Sequence, residues 1–210
     1  MIFSFINQKG GVGKTTLSLC VAFELSKKTK VLLIDADPQS SIIAWSDVRE
    51  EPLPNNLSIA AMAKKTIHRD LNNLKRGYNH VIIDTPPRLT DITRSAIMTS
   101  NLVIVPCTPS PYDVWATKET LDLIREARIY HKKLQCVFAI NRKIANTVLS
   151  REVKDAIQSL GDDFILLKSE LTHRMVFAEA GNVGKVAQEI DKEGKAAKEI
   201  QKFVTELNKF

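Results

Sequence analysis

At 210 residues, with 44% hydrophobic and 26% charged residues, the chain reads as one globular domain over 1–210 with a sizeable core. No apolar stretch approaches the roughly 20 residues a bilayer-spanning helix needs. The three cysteines, Cys20, Cys107 and Cys136, are too widely spaced for a disulfide framework or a metal cluster, which points to a reducing cytoplasm. The net charge of +6 is concentrated between residues 61 and 150, with fourteen basic and seven acidic groups, and permits nucleic-acid binding without proving it.

In chain order, an apolar strand over Ile2–Asn7 runs into Lys9-Gly10-Gly11-Val12-Gly13-Lys14-Thr15-Thr16, and a helix follows over Lys14–Lys28. The loop fits the phosphate-binding spacing G-x-x-x-x-G-K-[ST] with Gln8 in place of the first glycine. Its glycines let backbone N–H groups turn toward an anion, and the helix start adds positive potential. Lys14 is placed to reach β/γ-phosphates and the Thr15 hydroxyl to ligate Mg²⁺.

A second strand over Lys30–Asp35 ends in Asp35-Ala36-Asp37-Pro38-Gln39, ahead of a helix over Ser40–Arg49. Two carboxylates at a strand tip are costly to bury unless they serve a cation, a water or a donor. Asp37 is the candidate to orient or activate an attacking water, and Asp35 to support the Mg²⁺ shell or the loop. The alternative for either is capping the helix that follows. After a strand over Leu57–Ala60 and a helix over Ile67–Arg76, the strand His80–Asp84 ends Val81-Ile82-Ile83-Asp84-Thr85-Pro86-Pro87. Four apolar residues and an aspartate make a Walker B pattern, so Asp84 is a candidate Mg²⁺ holder. The stiff Thr-Pro-Pro turn suits a segment that senses the γ-phosphate.

A helix over Asp91–Ser100 and a strand over Leu102–Pro106 precede one long helix expected over Val114–His131. The strand Leu134–Asn141 ends in Asn141-Arg142. Asn141 can donate to and accept from an adenine edge, Arg142 can stack on the base or touch a partner subunit, and a plain strand-end turn is the alternative. A helix over Val148–Leu160, a strand over Phe164–Leu167 and helices over Arg174–Ala180 and about 193–208 complete the chain. The strands VLLID, VIIDT and LVIVP are continuously apolar, as strands buried on both faces are. The fold class is therefore α/β, a doubly wound, mostly parallel sheet flanked by helices, with the site at the strands' carboxyl ends.

K-G-G-x-G-K-[ST]-[ST], with its extra Lys9, resembles the deviant Walker A motif of the ParA/MinD ATPase family. D-A-D-P-Q, V-I-I-D-T-P-P, Pro106–Asp113, the strand-end Asn141-Arg142 and His173–Gly181 follow in the family's order, so the resemblance covers essentially the whole chain. At this length, without an N-terminal DNA-binding extension, it is most similar to the short, ParF-like partition proteins, where the proline-rich stretch is implicated in self-association. The resemblance implies ATP and Mg²⁺ as cofactors and weak intrinsic ATP hydrolysis. It also implies a face-to-face homodimer in which Lys9 reaches the partner's nucleotide, with Gly10 to Thr16, Asn141 and Arg142 lining the nucleotide site. It further implies nonspecific DNA binding in the ATP state and release when a ParB-like centromere-binding or other partner stimulates hydrolysis. Location would be cytoplasmic, on the nucleoid when ATP-bound.

The DNA-contacting residues are not written in the motifs. The charge excess singles out Lys132, Lys133, Arg142, Lys143 and Arg151. On the last helix Lys195, Lys198, Lys202 and Lys209 fall within about 60° of one another at 100° per residue. The bland reading of that helix is an ordinary amphipathic element, basic outside and apolar inside. A MinD-like membrane cycle would want a bulkier apolar terminal helix, so no stable membrane association is expected. A ParA-like positioner of a protein cargo stands as the other alternative. A cluster-bearing electron-transfer ATPase, a tyrosine kinase and an ATP-binding module without turnover rank below these.

Overall fold

The computed structural model describes residues 1–144, 149–161 and 163–210, with the side chains at 111 and 149–151 outside that description. The expected helix start at Val148 and the Arg151 side chain therefore lie outside the described residues.

Seven strands form one parallel sheet: β1 (Ile2–Phe5), β2 (Val31–Asp35), β3 (Leu57–Ala61), β4 (His80–Asp84), β5 (Leu102–Cys107), β6 (Gln135–Ile140) and β7 (Ile165–Leu166). Their spatial order is β3-β2-β4-β1-β5-β6-β7, and every pairing is parallel. Chain order reverses direction around β1, so the loop after β1 opens at the crevice where such sheets bind ligands.

The pleat explains the two buried faces. Phe3 and Phe5 of β1, with Leu33, Ile82, Ile104 and Val137, pack under α1 (Lys14–Ser26), α2 (Ser41–Asp47) and α10 (Lys195–Leu207). Ile2, Leu32, Ile34, Val81 and Ile83 face the opposite way, toward α3 (Ile67–Leu74) and α4 (Asp91–Thr99). Ile6, Val103, Val105 and Phe138 join them against α6 (Lys118–Tyr130) and α7 (Leu149–Gln158). Alternate side chains point to opposite faces, and both faces are covered, which is why these strands read as unbroken apolar runs.

Three expectations change. The long helix over Val114–His131 is two helices, α5 (Pro111–Trp115) and α6. Its continuity is broken where Gln8 Nε2 donates to the Ala116 carbonyl at 2.6 Å and the Thr117 hydroxyl turns back to the Val114 carbonyl at 2.6 Å. The helix expected from Arg174 begins two residues later, as α8 (Val176–Asn182), and the single turn α9 (Ala187–Ile190) had no sequence signal. α10 sits where the pattern placed it, with Ala196, Ala197, Ile200, Phe203, Val204 and Leu207 buried. All three cysteines are buried, and burial pushes each thiol up to about 12.

Candidate nucleotide-binding site

The loop after β1 is shaped by two left-handed glycines, Gly11 at φ 76° and Gly13 at φ 93°. Gly13 has a second constraint, because a Cβ there would lie 2.3 Å from the Asn141 side-chain nitrogen. Asn141 Nδ2 donates to the Val12 carbonyl at 2.8 Å, and Arg142 Nη1 donates to the Gly11 carbonyl at 2.7 Å. Both residues line the cavity above the loop, yet their donors brace the loop's carbonyls. Pulling those carbonyls outward is what leaves the N–H groups free to face an anion.

The cavity holds about 390 Å³. It is lined by Gly10, Gly11, Gly13 to Leu17, Asp37, Thr85 and Pro87, and by Asn141, Arg142, Thr172 to Met175, Phe177 and Ala178. Lys14, only 6% exposed, sits at the start of α1 with Nζ 3.4 Å from the Lys9 carbonyl. Burial pushes its ammonium below the ordinary lysine range, and Asp84 and Asp37 only partly offset that. A buried cation with so little direct pairing is a strong attractor for phosphate.

Asp84 and Asp35 stand side by side in register on β4 and β2. Asp84 accepts from the Thr15 hydroxyl at 2.6 Å and from Ser18 Oγ at 3.0 Å. Full burial raises its carboxyl to about 7, against the pull of those two donors. Among the described residues no three His, Cys, Asp or Glu gather as a metal cage. One carboxylate and one hydroxyl beside a phosphate cavity instead suit Mg²⁺, which takes hard oxygens and completes its shell with phosphate and water. Ser18 as an Asp84 partner was missed from sequence, although it lies one helical turn after Lys14.

The structure commits Asp35 differently from the metal reading. Its Oδ2 accepts the Ile42 and Ile43 amides at 2.9 and 3.2 Å, and its Oδ1 accepts the Asp37 amide at 3.2 Å. Asp35 therefore caps the first turn of α2 from the strand below, which is the capping alternative. Asp37 accepts the Gln39 amide at 2.9 Å and lines the cavity.

Lys9 is absent from the cavity wall. It lies in a neighbouring groove with Gln8, Arg88 and Glu119, and its side chain is 46% exposed. Its ammonium pairs with the fully buried Asp113 of α5, which also accepts from the Thr108 hydroxyl. The sequence quoted Asp113 only as the end of a proline-rich stretch, and nothing in the spacing joins it to Lys9.

The DNA candidates divide. Lys132 and Lys133 lie before β6, whereas Arg142 and Lys143 lie after it, at the other end of the sheet. Six residues of strand separate them by roughly 20 Å. They therefore lie on two separate parts of the surface. Lys143 is engaged by Glu170, with Lys154 on the same carboxylate. Lys195, Lys198 and Lys202 are exposed on α10 and Lys209 is exposed just past its end, and Lys168 joins Lys202 and Lys209 around one shallow groove.

Residues 3–186 match the model of the CobQ/CobB/MinD/ParA nucleotide binding domain. The chain belongs to this family. It is 28% identical over 203 residues to the Maintenance of carboxysome distribution protein A of Halothiobacillus neapolitanus, covering 96% of this chain and 93% of that protein. Two solved structures share the fold. One is an ATP complex of Cyanothece McdA, with TM-score 0.81, 18% identity and coverage of 99% of this chain and 96% of that one. The other is a putative plasmid partition protein of Borrelia burgdorferi bound to AMPPNP, with TM-score 0.72, 22% identity and coverage of 99% and 98%.

Proposed function

We propose that the protein is a Mg²⁺-dependent ATPase that cycles between an ATP-bound dimer on nonspecific DNA and a released state, and so positions a cargo. The observation that carries this reading is the division of labour between two lysines of one loop. Lys14 is buried in its own cavity, while Lys9 stands half-exposed beside it, held by Asp113. A cation outside its own site is available to a second copy's phosphates.

In this reading Lys14 and the loop amides bind the β- and γ-phosphates, and Thr15 and Asp84 hold the metal. Bound Mg²⁺ would neutralise phosphate oxygens as charge develops on them. Asp37, fixed by the Gln39 amide, orients the attacking water. Lys9 of the partner subunit adds positive charge at the transferring phosphoryl group, as an arginine finger does. The wall from Thr172 to Ala178, with Asn141 and Arg142, receives the nucleoside. DNA phosphates would meet the exposed lysines of α10 together with Lys168, and the affinity would fall steeply with salt. Lys132 and Lys133 are the weaker candidates because they sit at the other end of the sheet.

The cargo lies with a stimulating partner. A ParB-like centromere-binding partner would make it a plasmid or chromosome. The near full-length match to a carboxysome distribution protein favours a protein assembly as the alternative cargo. The test of the ATP cycle is Asp37→Ala in sedimentation with Mg-ATP. The variant should accumulate as dimer with turnover reduced about 100-fold or more, while wild type with ADP stays monomeric. Undiminished turnover in Asp37→Ala removes that residue from the hydrolytic step.

A further inference from the structure

The last helix is tied to the nucleotide cavity as well as to the core. Glu199 and Glu206 lie two turns apart on α10, and both grip the segment that runs from β7 into the cavity wall. Glu206 accepts the Lys168 and Ser169 amides, each at 2.8 Å. Glu199 accepts the Thr172 amide at 3.0 Å, the Thr172 hydroxyl at 2.9 Å and the Arg174 guanidinium at 2.6 Å. Thr172 and Arg174 are themselves cavity-lining residues. Burial pushes the Glu199 carboxyl upward, but the donors of Arg174 and Thr172 outweigh it and hold the group below the ordinary glutamate value.

The stretch is also held by Leu171, buried and donating its N–H to the Ile140 carbonyl at 3.0 Å, and by α8 from Val176 on. β7 has only two residues, and beyond it the segment joins the sheet's extension by one isolated bridge, Lys143 to Thr172. Two backbone bonds serve that bridge, Lys143 N–H to the Leu171 carbonyl and His173 N–H to the Lys143 carbonyl, both 2.9 Å. Phosphates belong on the loop and the first turn of α1, so the lining residues from Thr172 on are left for the nucleoside. A charged acceptor taking several donors from two of those residues is a strong local restraint on them.

We propose that Glu199 is a positioning residue for nucleoside binding, setting the Thr172–Arg174 wall from α10; the inference rests on the nucleotide reading above. Glu199 itself lies behind the wall and acts through Thr172 and Arg174. Its loss should therefore weaken the hold on the nucleoside and spare the hold on the phosphates.

The test is calorimetric binding of Mg-ATP and, separately, of inorganic tripolyphosphate with Mg²⁺ to the full chain. Glu199→Gln should weaken ATP binding by about tenfold or more and change tripolyphosphate binding by less than about twofold. Thr172→Val keeps the side chain's size and removes only the hydroxyl donor. It should weaken ATP by about threefold in the same direction, and it decides the matter if Glu199→Gln does not fold. Glu206→Gln, whose contacts stop at Ser169, should leave ATP affinity within about twofold. Equal losses for ATP and tripolyphosphate, or an equal loss in Glu206→Gln, would mean general loosening and overturn the proposal. Unchanged ATP affinity in both Glu199→Gln and Thr172→Val would overturn it too. Failure of the nucleotide reading looks different, because wild type would then bind neither probe, and the proposal would fall with it.

Discussion

Lys14 and Lys9 come from the same loop, five residues apart, and the fold treats them in opposite ways. Lys14 is buried at the helix start, where burial lowers its ammonium from the ordinary lysine range and Asp84 and Asp37 partly offset that. Lys9 is half-exposed in the adjoining groove, where a buried carboxylate on another element holds its ammonium. The contrast separates two electrostatic tasks. A buried cation defines where phosphates must sit in the same chain, whereas an exposed, tethered one can be exchanged for a different anion.

The largest expected effect tests the buried side. Lys14→Ala should remove turnover and weaken nucleotide binding about 100-fold or more, measured by calorimetry with Mg-ATP. Retained affinity would dissolve the difference between the lysines. Next, Lys9→Ala should leave nucleotide binding by the monomer within about threefold while reducing dimerisation and cutting stimulated turnover about 100-fold. Wild-type behaviour in sedimentation and turnover would take Lys9 out of the partner's site. A smaller effect sharpens the tether. Asp113→Asn should cost about 1–2 kcal/mol in urea melts by weakening the bonds from Lys9 and Thr108. Lys9→Ala and Asp113→Asn should be less than additive together, since each removes the same contact. Strict additivity would mean that the pair contributes nothing.

A separate effect is a pH dependence of the nucleotide-free protein. The folded-state value of Asp84 lies above its ordinary 3.8, at about 7. Between those values the unfolded chain gives up this proton and the folded one keeps it, so stability falls as pH rises from about 4 to about 7 and is level above. Asp163, Glu199 and Glu206 are shifted downward and act in the other direction, their contribution being lost as pH falls through the acid range. Melting temperatures of wild type and Asp84→Asn across pH 5 to 8 separate the two. The variant should show a shallower decline, the remainder coming from Asp35, whose carboxyl burial also raises, and an identical slope in both would refute the assignment.

The sheet was legible because burial on both faces leaves an unmistakable mark, continuous runs such as Val31–Asp35. The phosphate loop and Asp84 were legible because their chemistry is local: a glycine turn, a lysine, and an aspartate ending an apolar strand. What was not legible depends on residues far apart in the chain. Gln8 fills the place of a loop glycine in the motif, but its side chain reaches Ala116 and splits a helix. Asp113 meets Lys9 across 104 positions. Asp35 and Asp37 look equivalent in sequence, and only the approach of α2 commits Asp35 to amides and leaves Asp37 facing the cavity. Charge excess alone singles out Lys132 and Lys143 together, and only β6 shows that they lie at opposite ends of one strand.

The most direct test of the central claim is binding to random-sequence duplex DNA with ATP, with ADP and without nucleotide, at low and moderate salt. Binding is expected only with ATP, weakened steeply by salt and lost when Lys195, Lys198 and Lys202 are replaced by glutamine. Equal binding in all three nucleotide states, or none in any, would contradict that claim.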